Sequence, residues 1–341
     1  MDNLNVVVIG YGGMGRYHAD GLIEREAKYN KVKVYDIDPE KIEKANKAGF
    51  ESYASYEEVL ADPTVDAVVI VTPNDSHKEL SISALKAGKH VVCEKPAMMS
   101  VADFDEVIAV AKETNRVFMV HQNRRWDPDF LTIKNLYDNQ QLGDLFHLES
   151  RVHGANGIPG DWRHKKAQGG GMVLDWGVHL FDQLLYLIDS PLKSVQKSLS
   201  YVLGDEVDDG FTVMLHFENG VYALVEVGTS NYLKLPRWYV KGLAGSAVIN
   251  DWDLHGDMLA RKDGDRPSHD NLKPIQAGVG LTKTMAPPSE EATMALALPA
   301  PLTHPFSFYE NFYDVVNGTA EPFVTNAQVR NVLVLIETIL G

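Results

Sequence analysis

Asp175 and His179 stand four residues apart in the span Gly171-Met172-Val173-Leu174-Asp175-Trp176-Gly177-Val178-His179, and together they could move a proton. Imidazole titrates near neutrality, and a neighbouring carboxylate can orient it or hold a substrate hydroxyl. On an α-helix, Asp175, His179, Asp182 and Tyr186 fall within roughly 60° of one another. Leu174, Val178, Leu180, Phe181, Leu184, Leu185, Leu187 and Ile188 fill most of the remaining surface, so Asp175 to Ile188 reads as a buried helix. Unpaired charge in a dry interior is costly, so the polar stripe is expected to border a polar cavity.

A second kind of chemistry is written at the start of the chain. Asn5 to Ile9 reads as a buried strand that runs into Gly10-Tyr11-Gly12-Gly13-Met14-Gly15 and then a helical segment, Arg16 to Arg25. In this G-x-G-x-x-G pattern, Gly10 permits the tight turn, Gly12 lets backbone approach a pyrophosphate, and Gly15 packs helix on strand. Gly13 and Met14 complete the loop. A second strand, Lys31 to Tyr35, ends at Asp36, whose carboxylate can accept hydrogen bonds from ribose hydroxyls. Asp36 and Asp38 would repel a 2′-phosphate and no Arg follows them, so NAD is expected over NADP. Asp38, before Pro39, reads better as a helix cap.

Further strands at Asp66 to Val71, Lys89 to Cys93 and Arg116 to Val120 alternate with helices near Ser55 to Ala61, Ser76 to Ala87 and Ser100 to Thr114. That alternation predicts an α/β protein with a doubly wound parallel sheet, in which ligands bind beyond the carboxyl ends of the strands. The residues at those ends are Thr72, Pro73 and Asn74 with His77, then Glu94-Lys95-Pro96, then His121-Gln122-Asn123-Arg124.

Composition removes several alternatives. With 45% hydrophobic and 23% charged residues in 341, the chain reads as a folded globular protein of two domains. A formal charge of −15 disfavours nucleic acid and anionic membranes as partners. No apolar run approaches the roughly 20 residues of a bilayer span, and the N-terminus lacks a basic signal-like region, so a cytoplasmic protein is expected. Cys93 alone can form neither an internal disulfide nor a thiolate cluster, and no metal site is expected.

The Gly10 to Gly15 turn, Thr72-Pro73-Asn74 with His77, Glu94-Lys95-Pro96, Gln122-Asn123-Arg124-Arg125, Trp162-Arg163, and Gly169-Gly170-Gly171 leading to Asp175 and His179 jointly resemble the Gfo/Idh/MocA oxidoreductases, the glucose-fructose oxidoreductase and inositol dehydrogenase family. The resemblance implies an N-terminal Rossmann domain, a C-terminal α/β domain with a large, mostly antiparallel sheet, and nicotinamide-dependent redox chemistry on sugars or cyclic polyols. It further implies that Lys95, Asp175 and His179 line the substrate site beside the nicotinamide. The cofactor is then assigned to Gly10, Gly12, Gly13, Met14, Gly15, Asp36, Thr72, Pro73, Asn74, His77, Glu94, Lys95, Gln122 and Arg163.

Oxidation of a secondary alcohol requires a proton to leave oxygen as hydride leaves carbon. His179 suits the general acid/base role. Lys95 either has its pKa lowered beside the nicotinamide or stays protonated and stabilises alkoxide character. Asp175 either anchors a neighbouring hydroxyl or orients the imidazole. Two other activities fit the same residues: a net non-redox sugar reaction that recycles tightly held NAD, such as glycoside cleavage through a keto intermediate, and a catalytically silent dinucleotide sensor.

After Arg124 the alternation breaks, which places dinucleotide binding in residues 1–124 and substrate binding and oligomerisation in 125–341. Phe130 to Asn139 reads as a helix. Leu145 to His153, Ser194 to Leu203, Phe211 to Phe217, Val221 to Thr229 and Trp238 to Ile249 read as strands, with a hairpin at Glu218-Asn219-Gly220. Phe211, Val213, Leu215 and Phe217 share one face; Met214, Tyr222 and Leu224 share the other. A sheet apolar on both faces needs two covers, one from its own helices and one from a second subunit, so a homodimer or homotetramer is expected. The loop from Gly154 to Lys166 should overhang the cleft, with His153, Asn156, Trp162 and Arg124 joining Lys95, Asp175 and His179 around a sugar ring. Asp263 to Pro301 has no clear period and is expected to form strand pairs and loops. His304 to Asn317 and Asn326 to Leu340 read as closing helices.

Overall fold

Short runs of Val, Ile and Ala, too brief for helices and bounded by Gly, Pro or Asp, form the first sheet of the computed structural model, which describes residues 3–25, 27–262, 273–285 and 292–341. The chain alternates through β1 (Leu4–Ile9), α1 (Gly13–Ile23), β2 (Tyr29–Tyr35), α2 (Pro39–Lys47), α3 (Tyr56–Ala61), β3 (Ala67–Ile70), α4 (His77–Lys86), β4 (His90–Cys93), α5 (Val101–Glu113) and β5 (Phe118–Val120). The strands pair in parallel in the order β2-β1-β3-β4-β5. Both faces are covered by helices, so β3 and β5 are buried at every residue instead of alternating. Helix starts follow local chemistry: Asp38, Ser55 and Ser100 each accept a first-turn backbone N–H, and Pro39 occupies a position where a missing N–H costs nothing.

Register then fixes the site. Ile9 pairs with Tyr35 and Ile70, Ile70 with Cys93, and Cys93 with Val120. Gly10, Asp36, Val71, Glu94 and His121 therefore emerge side by side along one edge of the sheet.

The second half comprises α6 (Pro128–Asp138), β6 (Leu145–His153), α7 (Val178–Leu187), β7 (Leu192–Ser200), β8 (Gly210–Phe217), β9 (Tyr222–Gly228), β10 (Trp238–Gly242), β11 (Gly245–Ile249), β12 (Gly256–Arg261), β13 (Ile275–Ala277), β14 (Gly280–Thr282), β15 (Thr293–Leu296), α8 (Phe308–Val316) and α9 (Asn326–Leu340). Eight strands form a sheet in the order β15-β12-β11-β10-β6-β9-β8-β7, antiparallel except for the β6–β9 pair; β13 and β14 form a separate hairpin. The fold is thus α/β, a Rossmann-type sheet followed by a large, mostly antiparallel one. Phe211, Val213, Leu215 and Phe217 are buried, while Met214, Tyr222 and Leu224 on the opposite face are only half-buried.

Trp238 to Ile249, expected as one strand, is instead a hairpin turning at Leu243-Ala244. The backbone is crowded at its bend: a Cβ on Gly242 would stand 2.2 Å from the Leu142 carbonyl oxygen, and one on Gly245 2.3 Å from that of Leu259. Of the stretch 263–301, β13, β14 and β15 are strands as expected, and 263–272 and 286–291 lie outside the described residues.

The chain end is shared between the halves. Phe308, Tyr309, Phe312, Tyr313, Val329 and Leu333 join the core of the first sheet, whereas Val332, Leu335, Ile336 and Ile339 of α9 join that of the second. Both helices begin with a reciprocal capping box, Ser307 with Glu310 and Thr325 with Gln328. No helix among the described residues is long and apolar enough to cross a membrane.

Candidate active site

The glycine turn is built for a dinucleotide. Gly10 has φ +97°, and a Cβ on Gly15 would lie 1.9 Å from the Gly10 carbonyl oxygen, so only glycine allows α1 to start this close to β1. Over Gly12 and Gly13 an added Cβ meets nothing within 4 Å, and no side chain caps the first turn of α1, leaving open backbone N–H groups of the kind that can hold a pyrophosphate. Met14 beside them is 41% exposed, a free surface at the mouth of the turn. Asp36 ends β2 with its carboxylate accepting from the N–H of Tyr11 (2.6 Å) and of Asp38 (2.8 Å). Lys41 stands 3.7 Å from it, a cation the sequence expectation did not include. At the far end of the sheet, Gln122 is 1% exposed and both amide atoms lack partners, a buried donor and acceptor suited to the carboxamide of nicotinamide. These residues fit NAD(P).

Three residues assigned to the cofactor hold the crevice together. His77 is fully buried, its ring nitrogens 3.0 and 2.9 Å from the carbonyl oxygens of Pro96 and Thr72, so it ties the Thr72-Pro73-Asn74 turn to the Glu94-Lys95-Pro96 turn and cannot itself touch a ligand. Asn74 donates to the Gly169 carbonyl at 2.9 Å, linking the two walls of the cleft. Glu94 is buried behind Lys95, whose backbone N–H it accepts at 3.0 Å. The Lys95–Pro96 peptide is cis.

Across the cleft, Lys95 Nζ donates to Asp175 twice, to the backbone oxygen at 2.9 Å and to Oδ1 at 3.0 Å, while Arg163 Nε lies 3.4 Å from Oδ2. Burial opposes ionisation of Asp175, but the Lys95 and Arg163 cations hold its carboxyl below the usual range. His179 is buried with an unpartnered Nδ1, and burial, then the Lys95 and Arg124 cations, press its pKa well below the ordinary 6.5.

The regular helix expected through Asp175 and His179 is interrupted. Val173–Gly177 is a turn of π-helix, in which the Val178 N–H reaches back to the Val173 carbonyl, and α7 begins only afterwards. Within that turn Asp175 bonds Lys95 and Arg163 and not the imidazole. Further along, Asp182 and Tyr186 leave the site: Asp182 makes a bidentate pair with buried Arg125 at 2.8 and 2.7 Å, and the Tyr186 ring lies 4.5 Å from that guanidinium.

Arg124 does reach the site wall. Its guanidinium lies 4.4 Å from the Trp176 ring and 5.2 Å from Trp252, paired with Asp127 at 2.9 Å. Trp162 carries Arg163 over its ring at 4.6 Å, and Asn156 is exposed on the neighbouring loop. His153, expected beside the sugar ring, has its structural partners on the neighbouring strand and loop. It shares a face of β6 with Arg151, its side chain 1% exposed and its Nε2 3.5 Å from Glu226.

Two contributors were missed. Asp208, in the β7–β8 connection, accepts the Val173 N–H at 2.9 Å and so fixes the start of the π turn; burial pushes its carboxyl up to about 6. Trp252, between β11 and β12, buttresses Arg124. Neither carries a local signal, since each acts on a segment remote in sequence. Among the described residues, one cluster, His18, Glu94 and His121, brings potential metal-ligand atoms within 4.8 Å of one another. Its members are already joined by direct hydrogen bonds, 2.8 and 2.7 Å long.

Residues 4–122 match the model of the oxidoreductase family with NAD-binding Rossmann fold, and residues 130–248 that of the GFO/IDH/MocA C-terminal domain. The oxidoreductase YdgJ of Escherichia coli, itself uncharacterised, is 32% identical over 98% of this chain and 95% of its own. A scyllo-inositol 2-dehydrogenase (NADP(+)) of Bacillus subtilis, IolW, is 27% identical over 80% of this chain and 75% of its own. The crystal structure of an NAD-binding protein from Listeria innocua superposes with a TM-score of 0.94 at 57% identity, covering 100% of this chain and 97% of that one.

Proposed function

Because this chain belongs to the Gfo/Idh/MocA family of NAD(P)-dependent oxidoreductases, we propose that it transfers a hydride between NAD and a secondary alcohol or ketone of a sugar, inositol or related cyclic polyol. The observation that carries this reading is the Lys95–Asp175 clamp beside the His179 imidazole, whose Nδ1 is unpartnered and whose pKa is pressed well below 6.5, at the sheet edge where Gln122 and the glycine turn can hold the two ends of the dinucleotide. Bound nicotinamide would supply the hydride acceptor or donor.

In the oxidative direction, His179 takes the hydroxyl proton and Lys95 hydrogen-bonds the same oxygen as charge develops on it. Asp175, held by Lys95 and Arg163, anchors a neighbouring hydroxyl. Arg124 and Trp162 form the outer walls, and Asn156 is available from the loop. Incubating the protein with NAD or NADP and a panel of inositols, hexoses, amino sugars and sugar acids tests the reading. Reduced nicotinamide appearing at 340 nm with a ring polyol supports it; no reduction by any member of the panel, in protein that binds NAD, opposes it.

NAD is the proposed cofactor over NADP, because the buried Asp36 carboxylate would face the 2′-phosphate. Lys41, 3.7 Å away, offsets part of that repulsion. The kcat/KM ratio should favour NAD by about tenfold, and an equal or reversed ratio contradicts the assignment to Asp36. The protein is further proposed to act in the cytoplasm as a homodimer or homotetramer through the open sheet face. There Met214, Leu224, Tyr239 and Val248, half-buried, lie on one rung that crosses five strands, with Glu149 of β6 between Leu224 and Tyr239. Light scattering at micromolar concentration should give at least a dimer, and a monomer contradicts this.

A further inference from the structure

A buried ionic group of the first sheet, Glu94 with His18 and His121, lies directly behind Lys95, and the hydride-transfer chemistry above makes no use of it. Glu94 Oε1 accepts from His18 Nε2 at 2.8 Å and from His121 Nδ1 at 2.7 Å, while Oε2 accepts the Lys95 N–H at 3.0 Å. The other nitrogen of His18 accepts from the Tyr309 hydroxyl, so α8 reaches into the cluster from the far end of the chain. His18 is 0% exposed, His121 3% and Glu94 5%. Phe308 packs edge-on to His121, 4.7 Å between ring centroids. Three N–H donors converge on one buried carboxylate, an arrangement that stabilises the anion. Burial alone would raise the Glu94 pKa, but the hydrogen bonds donated by His121 and His18 hold it well below the usual carboxylate range, and burial keeps the His18 pKa low, so the cluster carries the carboxylate's charge.

The position of this charge matters. With adenosine at Asp36 on β2 and pyrophosphate at the β1 turn, a dinucleotide must extend its nicotinamide half over β3, β4 and β5, the side where Glu94 ends β4. Oxidised nicotinamide is a cation and reduced nicotinamide is neutral, so a fixed buried anion on that side favours the oxidised form. Lys95 and Arg124 lie on the same side and would disfavour it.

We propose that the Glu94 carboxylate, with His18 and His121 as its holders, is a positioning and charge-setting device that fixes the Lys95 turn and biases the site toward oxidised over reduced dinucleotide. This rests on the nicotinamide-dependent reading of the site. Binding of NAD+ and of NADH to the whole protein, followed separately by calorimetry or protein fluorescence, tests it without turnover. Glu94→Gln should weaken NAD+ relative to NADH by about tenfold, whereas Glu94→Asp should largely keep the wild-type ratio. A folded Glu94→Gln variant in which both affinities change by the same factor overturns the proposal. Should that variant not fold, His121 provides the second arm. His121→Asn keeps a donor near the Nδ1 position and should retain the ratio, whereas His121→Phe removes it and should lower the ratio. Identical ratios in those two variants also overturn the proposal. Wild-type protein that binds neither NAD+ nor NADH would instead refute the cofactor reading on which this one stands.

Discussion

Replacing His179 with alanine is expected to lower turnover by about 10²–10⁴, the usual worth of a positioned acid/base group, while leaving dinucleotide affinity nearly unchanged. The ring is buried beside the Lys95 and Arg124 cations with Nδ1 unpartnered, so its loss removes proton transfer without breaking a hydrogen bond of the fold. The pH profile carries the same information. Because burial and the two cations hold His179 well below 6.5, it is neutral and able to accept a proton at pH 7. As pH falls, kcat/KM in the oxidative direction should stay level through 6.5 and decline only under more acidic conditions, when the ring at last protonates. The unfolded chain binds that proton at a higher pH than the fold does, so stability should also fall below pH 6.5. Wild-type turnover in His179→Ala, or an acid limb centred at or above 6.5, would sink the assignment.

Asp182→Ala should destabilise the protein by about 3–5 kcal/mol, the usual cost of leaving one partner of a buried ion pair alone. Arg125 and Asp182 have side chains only 1% and 2% exposed and are joined by two short hydrogen bonds. Arg125 Nη1 also donates to Gln328 of α9 at 3.0 Å, and the guanidinium lies over Tyr186 at 4.5 Å. Removing the carboxylate strands a cation where the first sheet hands over to the second. Urea denaturation should report the loss as a lower midpoint with little change in slope. A loss below about 1 kcal/mol would contradict this, since it would mean that the Arg125 cation is not left uncompensated.

The parts of the site legible in the sequence are those where backbone geometry dictates residue type. Gly10 must adopt a positive φ and Gly15 must admit a carbonyl, so the turn announces itself, and Asp36 follows from the length of one β-α-β unit. Strand ends were legible because parallel register aligns them. Lys95 and Asp175 came together as the family resemblance implied, but the way they meet could not be read, since a π turn replaces the regular helix at Val173–Gly177. That turn depends on Asp208, thirty-five residues beyond Val173 and bonded to it only through the fold. The surroundings of His153 were not legible for a different reason: period-two alternation says that faces differ without saying what each one meets. The hairpin within Trp238 to Ile249 was hidden because Gly242 and Gly245 flank Leu243 and Ala244, which carry no turn signal. His77 was legible as part of the crevice, yet its burial between two carbonyls makes it a brace.

Net hydride transfer at Lys95, Asp175 and His179 fixes a stoichiometry that can be measured. With the ring polyol that gives the fastest reaction in the panel, NADH and ketone product should accumulate one for one, and His179→Ala should slow both equally. Product formed without free NADH, at a rate indifferent to His179, would contradict it.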